Sequence, residues 1–264
     1  MDKTKLPSVS LVIIDTENYI LSYKALEESI KALDFSDILI FSDNDTCWGD
    51  HSIIKIPKIK SYFEYNDLIL NKLPEFAKTD FCLIIQYDGY ILNPNQFSES
   101  FFNYDYIGAP WPWHKANNVG NGGFSLRSKK LINAVKDLKY SNKNTEPEDD
   151  FFCRVNRPAL ESEYGCRFAT ENIAAQFSIE HGSRDFPTFG FHGVWHLVKI
   201  YKDNIDYFLN NIPQRLLKSD MHFYFIHQEM KLYLPERLND LIETRKKCFS
   251  FFNLKRYRYF KKVY

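Results

Sequence analysis

Apolar residues in the first third of the chain fall into short β-rich runs separated by stretches of helical spacing. Residues 8–15 (SVSLVIID) form a continuous apolar run closed by an acid, the pattern of a parallel strand buried on both faces. Tyr23, Leu26, Ile30 and Leu33 then recur at helical period. Residues 37–41 (DILIF) read as a second strand ending on Ser42-Asp43-Asn44-Asp45, and residues 52–56 as a short third one. The spacing predicts a further helix over 66–76 and a strand over 81–85 (FCLII), whose end delivers Gln86-Tyr87-Asp88-Gly89. Strands alternating with helices imply an α/β sheet with crossover connections, in which ligands bind beyond the carboxyl ends of the strands. The polar residues at those ends are therefore expected to carry function.

Beyond residue 101 the pattern loosens into loops rich in Gly, Pro and Trp, at 108–113 (GAPWPW) and 119–123 (VGNGG). A short strand at 124–126 and a helix at 129–138 come next. A polar segment at 141–147 precedes Glu148-Asp149-Asp150, which open an apolar helical stretch at 151–155, and Thr170 suits the N-cap of a helix at 171–177. No repeat or long linker splits the chain. The expectation is one α/β domain over 1–200, made of an α/β half (about 1–100) and a loop-rich half (about 101–200), with a helical extension over 201–264.

The chain has 264 residues, enough for a sizeable core, and 34 Lys and Arg balance 34 Asp and Glu. Zero net charge argues against a protein whose whole surface binds nucleic acid. No apolar run reaches the roughly 20 residues of a membrane-spanning helix. The opening MDKTKLPSVS lacks the apolar stretch of a secretory signal, so a cytoplasmic protein is expected. The five cysteines are scattered without a C-x-x-C pair, which points to ordinary thiols. Glycine is scarce, yet Gly89, Gly108, Gly120, Gly122, Gly123, Gly190 and Gly193 lie in four short clusters that read as one site.

Several residues in those clusters carry candidate chemistry. Asp88 follows a buried strand and precedes a glycine, which suits a ligand of a hard divalent cation as well as a plain Asp-Gly turn. Gln86, on the same face, is placed to meet a nucleotide or a metal-bound water. Glu148, Asp149 and Asp150 either complement a helix dipole or supply a carboxylate that accepts a proton from an attacking hydroxyl. His192, between Gly190-Phe191 and Gly193, suits a neutral metal ligand beside Asp88. Trp111, Trp113 and His114 suit a wall stacked on a sugar ring, although tryptophan is equally a core residue. The loop 120–123 (GNGG) is neither a Walker loop nor a dinucleotide fingerprint, and reads as a tight turn over a ligand.

The order of these motifs is more specific than any one of them. QYDG after a strand, then GAPWPW, GNGGFSLRS, PEDDFFCR and FGFHG together resemble a bacterial family of uncharacterised glycosyltransferase-like domains over residues 8–196. In motif order they are more distantly similar to inverting GT-A glycosyltransferases such as the β-1,3- and β-1,4-galactosyltransferases. The resemblance implies a GT-A-like, Rossmann-like mixed sheet flanked by helices. It implies transfer of a sugar from a nucleoside diphosphate sugar, UDP being the expected nucleotide, to a hydroxyl of a glycan or lipid-linked glycan, with inversion. A retaining transferase of the same fold and a non-catalytic carbohydrate-binding module are the alternatives. Asp88 matches the last position of the D-x-D motif and would hold Mn²⁺ or Mg²⁺ with His192, although Gln86 replaces the first acid. Asp149 matches the general base, with Glu148 or Asp150 as acceptor ligand or fallback base. Asn121, Gly122 and Gly123 would lie on the donor sugar, and Trp111, Trp113 and His114 on donor or acceptor. Thr16, Glu17, Ser42, Asp43, Lys58, Ser61, Tyr62, Asn66, Gln86 and Tyr87 are the expected nucleotide contacts. Arg127 and Arg154 would neutralise phosphate or pair with a neighbouring acid.

The neutral total conceals a division. After Glu243 there is no further acid, and residues 244–264 hold eight basic side chains (Arg245, Lys246, Lys247, Lys255, Arg256, Arg258, Lys261, Lys262) among seven aromatics. The first 243 residues thus carry 26 basic side chains (34 less 8) against 34 acidic ones, a net of −8. Such a tail suits an anionic membrane surface, or else folds back on the acidic body. No nucleic-acid partner is expected.

Overall fold

In the computed structural model, which describes residues 3–137, 146–181 and 187–249, the apolar runs build a six-stranded mixed sheet flanked by helices. Its order is β3-β2-β1-β4-β6-β5. The first four strands by position are parallel: β1 (Thr4–Ile14) lies between β2 (Leu33–Ser42) and β4 (Phe81–Ile85), and β3 (Ile54–Lys55) edges the sheet. Val9, Leu11, Val12 and Ile13 of β1 are all buried, as expected of a central strand covered on both faces. The crossovers are α1 (Tyr19–Ala32) and a segment that begins as α2 (Tyr62–Asp67), passes through a π-helical turn and ends as α3 (Leu73–Phe76).

The other two strands reverse direction. β5 (Tyr106–Ile107) and β6 (Ser125–Ser128) are antiparallel to each other, and β6 is antiparallel to β4, with Ser125 opposite Ile84. Because β6 runs against β4, its amino end meets the carboxyl end of β4. The glycine loop at 120–123 is thereby brought beside Gln86-Tyr87-Asp88-Gly89.

Helices α4 (Lys129–Asp137), α5 (Glu148–Asp150, continuing through a π-helical turn to Val155), α6 (Arg157–Tyr164) and α7 (Glu171–Phe177) complete this part. Two further strands, β7 (Ser178–Ile179) and β8 (Gly190–Phe191), pair in parallel; the pattern of apolar residues carries no sign of them. Leu33 also departs from expectation. It begins β2, buried and opposite Thr4, where the periodicity placed it on the first helix. The helix expected from 66 starts at Tyr62, because Ser61 caps it by accepting the Glu64 N–H at 3.3 Å.

The chain divides into two compact units, Met1–His192 and Gly193–Tyr264. The second is helical where described: α8 (His196–Ile200), α9 (Ile205–Asn211), α10 (Gln214–Lys218), α11 (Asp220–Tyr233) and α12 (Leu238–Lys247). No described helix is long and apolar enough to cross a membrane. Residues 250–264, most of the basic aromatic tail, lie outside the described residues.

Candidate active site

The carboxyl edge of the sheet gathers four short segments of the first unit around His192. Asp88 ends a tight turn after β4 in which Gln86 and Gly89 exchange both backbone hydrogen bonds (2.8 and 3.0 Å). Its Oδ1 lies 3.8 Å from His192 Nε2. The other ring nitrogen, Nδ1, lies 3.2 Å from Glu180 Oε1, so the imidazole is flanked by two carboxylates. Burial alone would lower the His192 pKa, but Asp88 and then Glu180 outweigh it and raise it to about 9. Glu180 in turn is held below the usual carboxylate range: burial opposes its charge, but the hydrogen bond and charge of His192 prevail.

The glycines explain how the backbone approaches so closely. A Cβ on Gly123 would sit 2.1 Å from His192 Nε2, and one on Gly89 would sit 2.9 Å from both the Gly123 carbonyl and the His192 ring. Gly108 and Gly120 are in similar contact, since a Cβ on Gly108 would lie 1.9 Å from the Gly120 carbonyl oxygen. Between them Asn121 is buried with φ +65°, a left-handed conformation that costs a non-glycine residue energy and recurs at functional sites. Its Oδ1 accepts the Gly123 N–H (3.2 Å), and its Nδ2 lies 3.0 Å from His192 Nδ1.

On the other side of the loop stand the three acids of α5, and they differ sharply. Glu148 is buried and makes a two-pronged ion pair with Arg127, with Nη1 to Oε2 at 2.8 Å and Nη2 to Oε1 at 3.0 Å. Arg127 is itself fully buried, with its guanidinium 5.3 Å from the Tyr106 ring centre and 5.1 Å from that of Phe152. Burial works against its charge, but Glu148 overcomes this and lifts the guanidinium pKa further. Glu148 is therefore occupied in holding the loop, not open to an acceptor as the sequence suggested, and Arg127 pairs with an acid rather than a phosphate. Asp150 is drawn to Arg154 (3.4 Å). Asp149 remains half-buried, with Oδ2 accepting the Gly122 N–H at 3.1 Å and Oδ1 the Asp150 N–H at 3.0 Å.

Other expected contacts prove to have internal roles. Asn66 is buried and clamps the chain ahead of α5, donating to the Glu146 carbonyl (2.8 Å) and accepting the Glu148 N–H (3.1 Å). Thr16 Oγ1 accepts the Ile59 N–H, Asp43 accepts the Tyr19 hydroxyl, and buried Ser42 lies at the end of β2. Ser61 serves as the α2 cap, and Tyr62 packs on Phe63. Gln86 donates to the Tyr65 hydroxyl at 2.9 Å and Tyr87 is buried, while Glu17 is exposed. Lys58 lines a groove of about 660 Å³ with Lys60, Phe63 and Lys72. Trp111 is buried, its ring filling the space where Gly120 would carry a Cβ, so it forms core under the loop and not a sugar platform. Trp113, in contrast, is 56% exposed, with His114 6.0 Å and His181 5.2 Å from its ring. Glu180 was missed by sequence reasoning; it follows a two-residue strand, and no motif or periodicity marks it.

Fold and site together define a mixed α/β protein with carboxylates, an imidazole and a glycine loop converging at the edge of its sheet. The chain belongs to a family described as "Protein of unknown function (DUF5672)", whose model matches residues 51–192. No curated protein matches the sequence. Among solved structures, the chain is similar to a glycosyltransferase involved in the glycosylation of the major capsid of PBCV-1 (12% identity, 70% of this chain and 92% of that chain, TM-score 0.44). It is also similar to a protein of Bacillus anthracis proposed as a glucose-1-phosphate thymidylyltransferase, solved with sucrose (13% identity, 66% and 98% covered, TM-score 0.41). A third is A197 from STIV (13% identity, 56% and 78% covered, TM-score 0.34).

Proposed function

We propose that this protein is a glycosyltransferase that moves a sugar from a nucleoside diphosphate sugar, with UDP as nucleotide, to a hydroxyl of a glycan or lipid-linked glycan. The observation that carries the reading is the convergence of Asp149, the Asn121–Gly123 loop and the Asp88–His192–Glu180 row at one edge of the sheet. In this reading Asp149 takes the proton of the acceptor hydroxyl as its oxygen attacks the anomeric carbon. The bond from that carbon to the diphosphate breaks, and its electron pair leaves with the diphosphate. Attack from the opposite face gives inversion. Asp149 uses one lone pair of each oxygen on a backbone N–H and keeps a second for the proton.

No group of three or more His, Cys, Asp or Glu side chains that could hold a metal forms among the described residues. Asp88 and His192 nonetheless fit a divalent cation of the kind that takes one or two protein ligands and completes its shell with substrate phosphates, the cation displacing the proton that the two carboxylates otherwise hold on the imidazole. Glu180, on the far ring nitrogen, is the orienting carboxylate that a metal-bound histidine ordinarily has. When bound, Mn²⁺ or Mg²⁺ would neutralise charge growing on the departing diphosphate. Exposed Trp113 offers a face to the sugar of donor or acceptor.

Incubation with nucleotide sugars in the absence of acceptor, followed by mass spectrometry, tests the reading. One donor should release free sugar slowly, and Asp149→Asn should suppress that release. Release unchanged by Asp149→Asn removes Asp149 from the chemistry.

A further inference from the structure

The groove beside α2 takes no part in the chemistry assigned above, yet its volume of about 660 Å³ is that of a small-molecule site. One wall is the segment after β3 and the other is α2 with the π-helical turn that follows it. Both walls are fixed by the chain's own bonds. The Ile56 N–H donates to the Ser42 carbonyl and the Ile59 N–H to Thr16 Oγ1, each at 3.0 Å, while Ser61 caps α2. Ile59 and Leu68 are half-buried and pack on the core beneath. The groove is therefore formed before any ligand arrives, which lowers the cost of binding one.

Its chemistry is mixed. Exposed Lys58, Lys60 and Lys72 bring three ammonium groups, none of which forms an ion pair among the described residues. Exposed Glu64 and Asp67 bring two carboxylates. Each has one oxygen engaged, Glu64 Oε2 by the Lys60 N–H at 2.5 Å and Asp67 Oδ1 by the Asn71 amide at 2.6 Å, and keeps the other for a ligand. Phe63 stands 40% exposed among these charges. Three cations against two acids make the groove locally positive, whereas the first 243 residues carry a net of −8.

An inorganic anion or an acidic peptide would be repelled by Glu64 and Asp67. A polyhydroxylated ligand makes use of them, because hydroxyls donate to carboxylates. The apolar C–H face of a sugar ring covers Phe63, and an acid group on the same ligand meets the lysines in charge-assisted hydrogen bonds. We propose that this groove binds an acidic saccharide, a sugar unit or short chain bearing a carboxylate or a phosphate. At about 100° per residue, Phe63, Glu64 and Asp67 share one flank of α2, turned away from Tyr65, whose hydroxyl accepts from Gln86 at 2.9 Å. The groove is thus distinct from the Asp88–His192 row, and its ligand does not depend on the transferase reading.

Ligand-observed NMR titrations of the full chain test this. Trigalacturonate is the carboxylate-bearing probe and glucose 6-phosphate the phosphate-bearing one, with maltotriose and inorganic phosphate as the neutral and the sugar-free controls. At least one acidic probe should bind with a dissociation constant below about 10 mM, and at least about fivefold tighter than either control; which of the two binds tells the source of the charge. Lys58→Ala with Lys72→Ala should weaken that binding about tenfold, and Phe63→Ala about threefold or more. These side chains are exposed, and far-UV circular dichroism checks that each variant is folded. Failure of both acidic probes to bind, equal binding of maltotriose or of phosphate, or binding indifferent to the substitutions overturns the proposal. Displacement of the bound probe by UDP would assign the groove to a nucleotide and also overturn it.

Discussion

A carboxylate that takes a proton from an attacking hydroxyl must be ionised, held still and reachable. Asp149 is fixed by two backbone N–H groups and is half-buried, whereas Glu148 beside it is sealed against Arg127 and Asp150 turns to Arg154. Asp149→Asn should therefore lower turnover by about 10²–10⁴-fold while leaving donor affinity within about twofold, read by steady-state kinetics and calorimetry. Parallel loss of rate and affinity would give Asp149 a binding role instead. Glu180 acts one step back. It holds His192 Nδ1, which leaves Nε2 facing Asp88, and Glu180→Gln should weaken Mn²⁺ binding about 10–100-fold in a metal titration, with Glu180→Asp restoring part of it. The nearness of Asp88 to His192 was legible because each adjoins glycine beside an apolar run. Glu180 was not, because its position depends on the pairing of β7 with β8, which a two-residue strand cannot announce. Asn66 misled for a related reason: a polar residue in the first turns of a helix does not declare whether it faces a ligand or the chain's own backbone.

Among the elements, β6 decides the geometry. Its reversal against β4 places the glycine loop over His192, and the Arg127–Glu148 pair ties the base of that loop to α5. Removing one member of a buried ion pair strands the other charge, so Arg127→Met should cost about 3–5 kcal/mol in urea unfolding. Arg127→Met combined with Glu148→Met should recover most of that loss, since no charge is then left buried. A loss no smaller in the double variant would mean that packing between Tyr106 and Phe152, not charge, is what Arg127 supplies. The parallel strands were readable from apolar runs alone. β5 went unread in a stretch that looks like loop, and β6 was read as a short strand whose neighbour and direction nothing in FSLRS states. The convergence of the glycine clusters of the first unit was legible, for glycine in an otherwise bulky, aromatic chain marks close backbone approach.

For the whole molecule, a zero net charge hides a division, since the first 243 residues carry a net of −8 that the basic C-terminal sequence balances. The central claim, however, concerns the first unit and its donor. Calorimetric titration of nucleoside diphosphate sugars into the full chain with Mn²⁺ tests it most directly. The account predicts that one donor binds with a dissociation constant between about 1 μM and 1 mM. Asp88→Asn or His192→Ala should weaken that binding at least about tenfold, and Asp149→Asn should leave it nearly unchanged. Failure of every nucleoside diphosphate sugar to bind, or binding indifferent to Asp88 and His192, would contradict it.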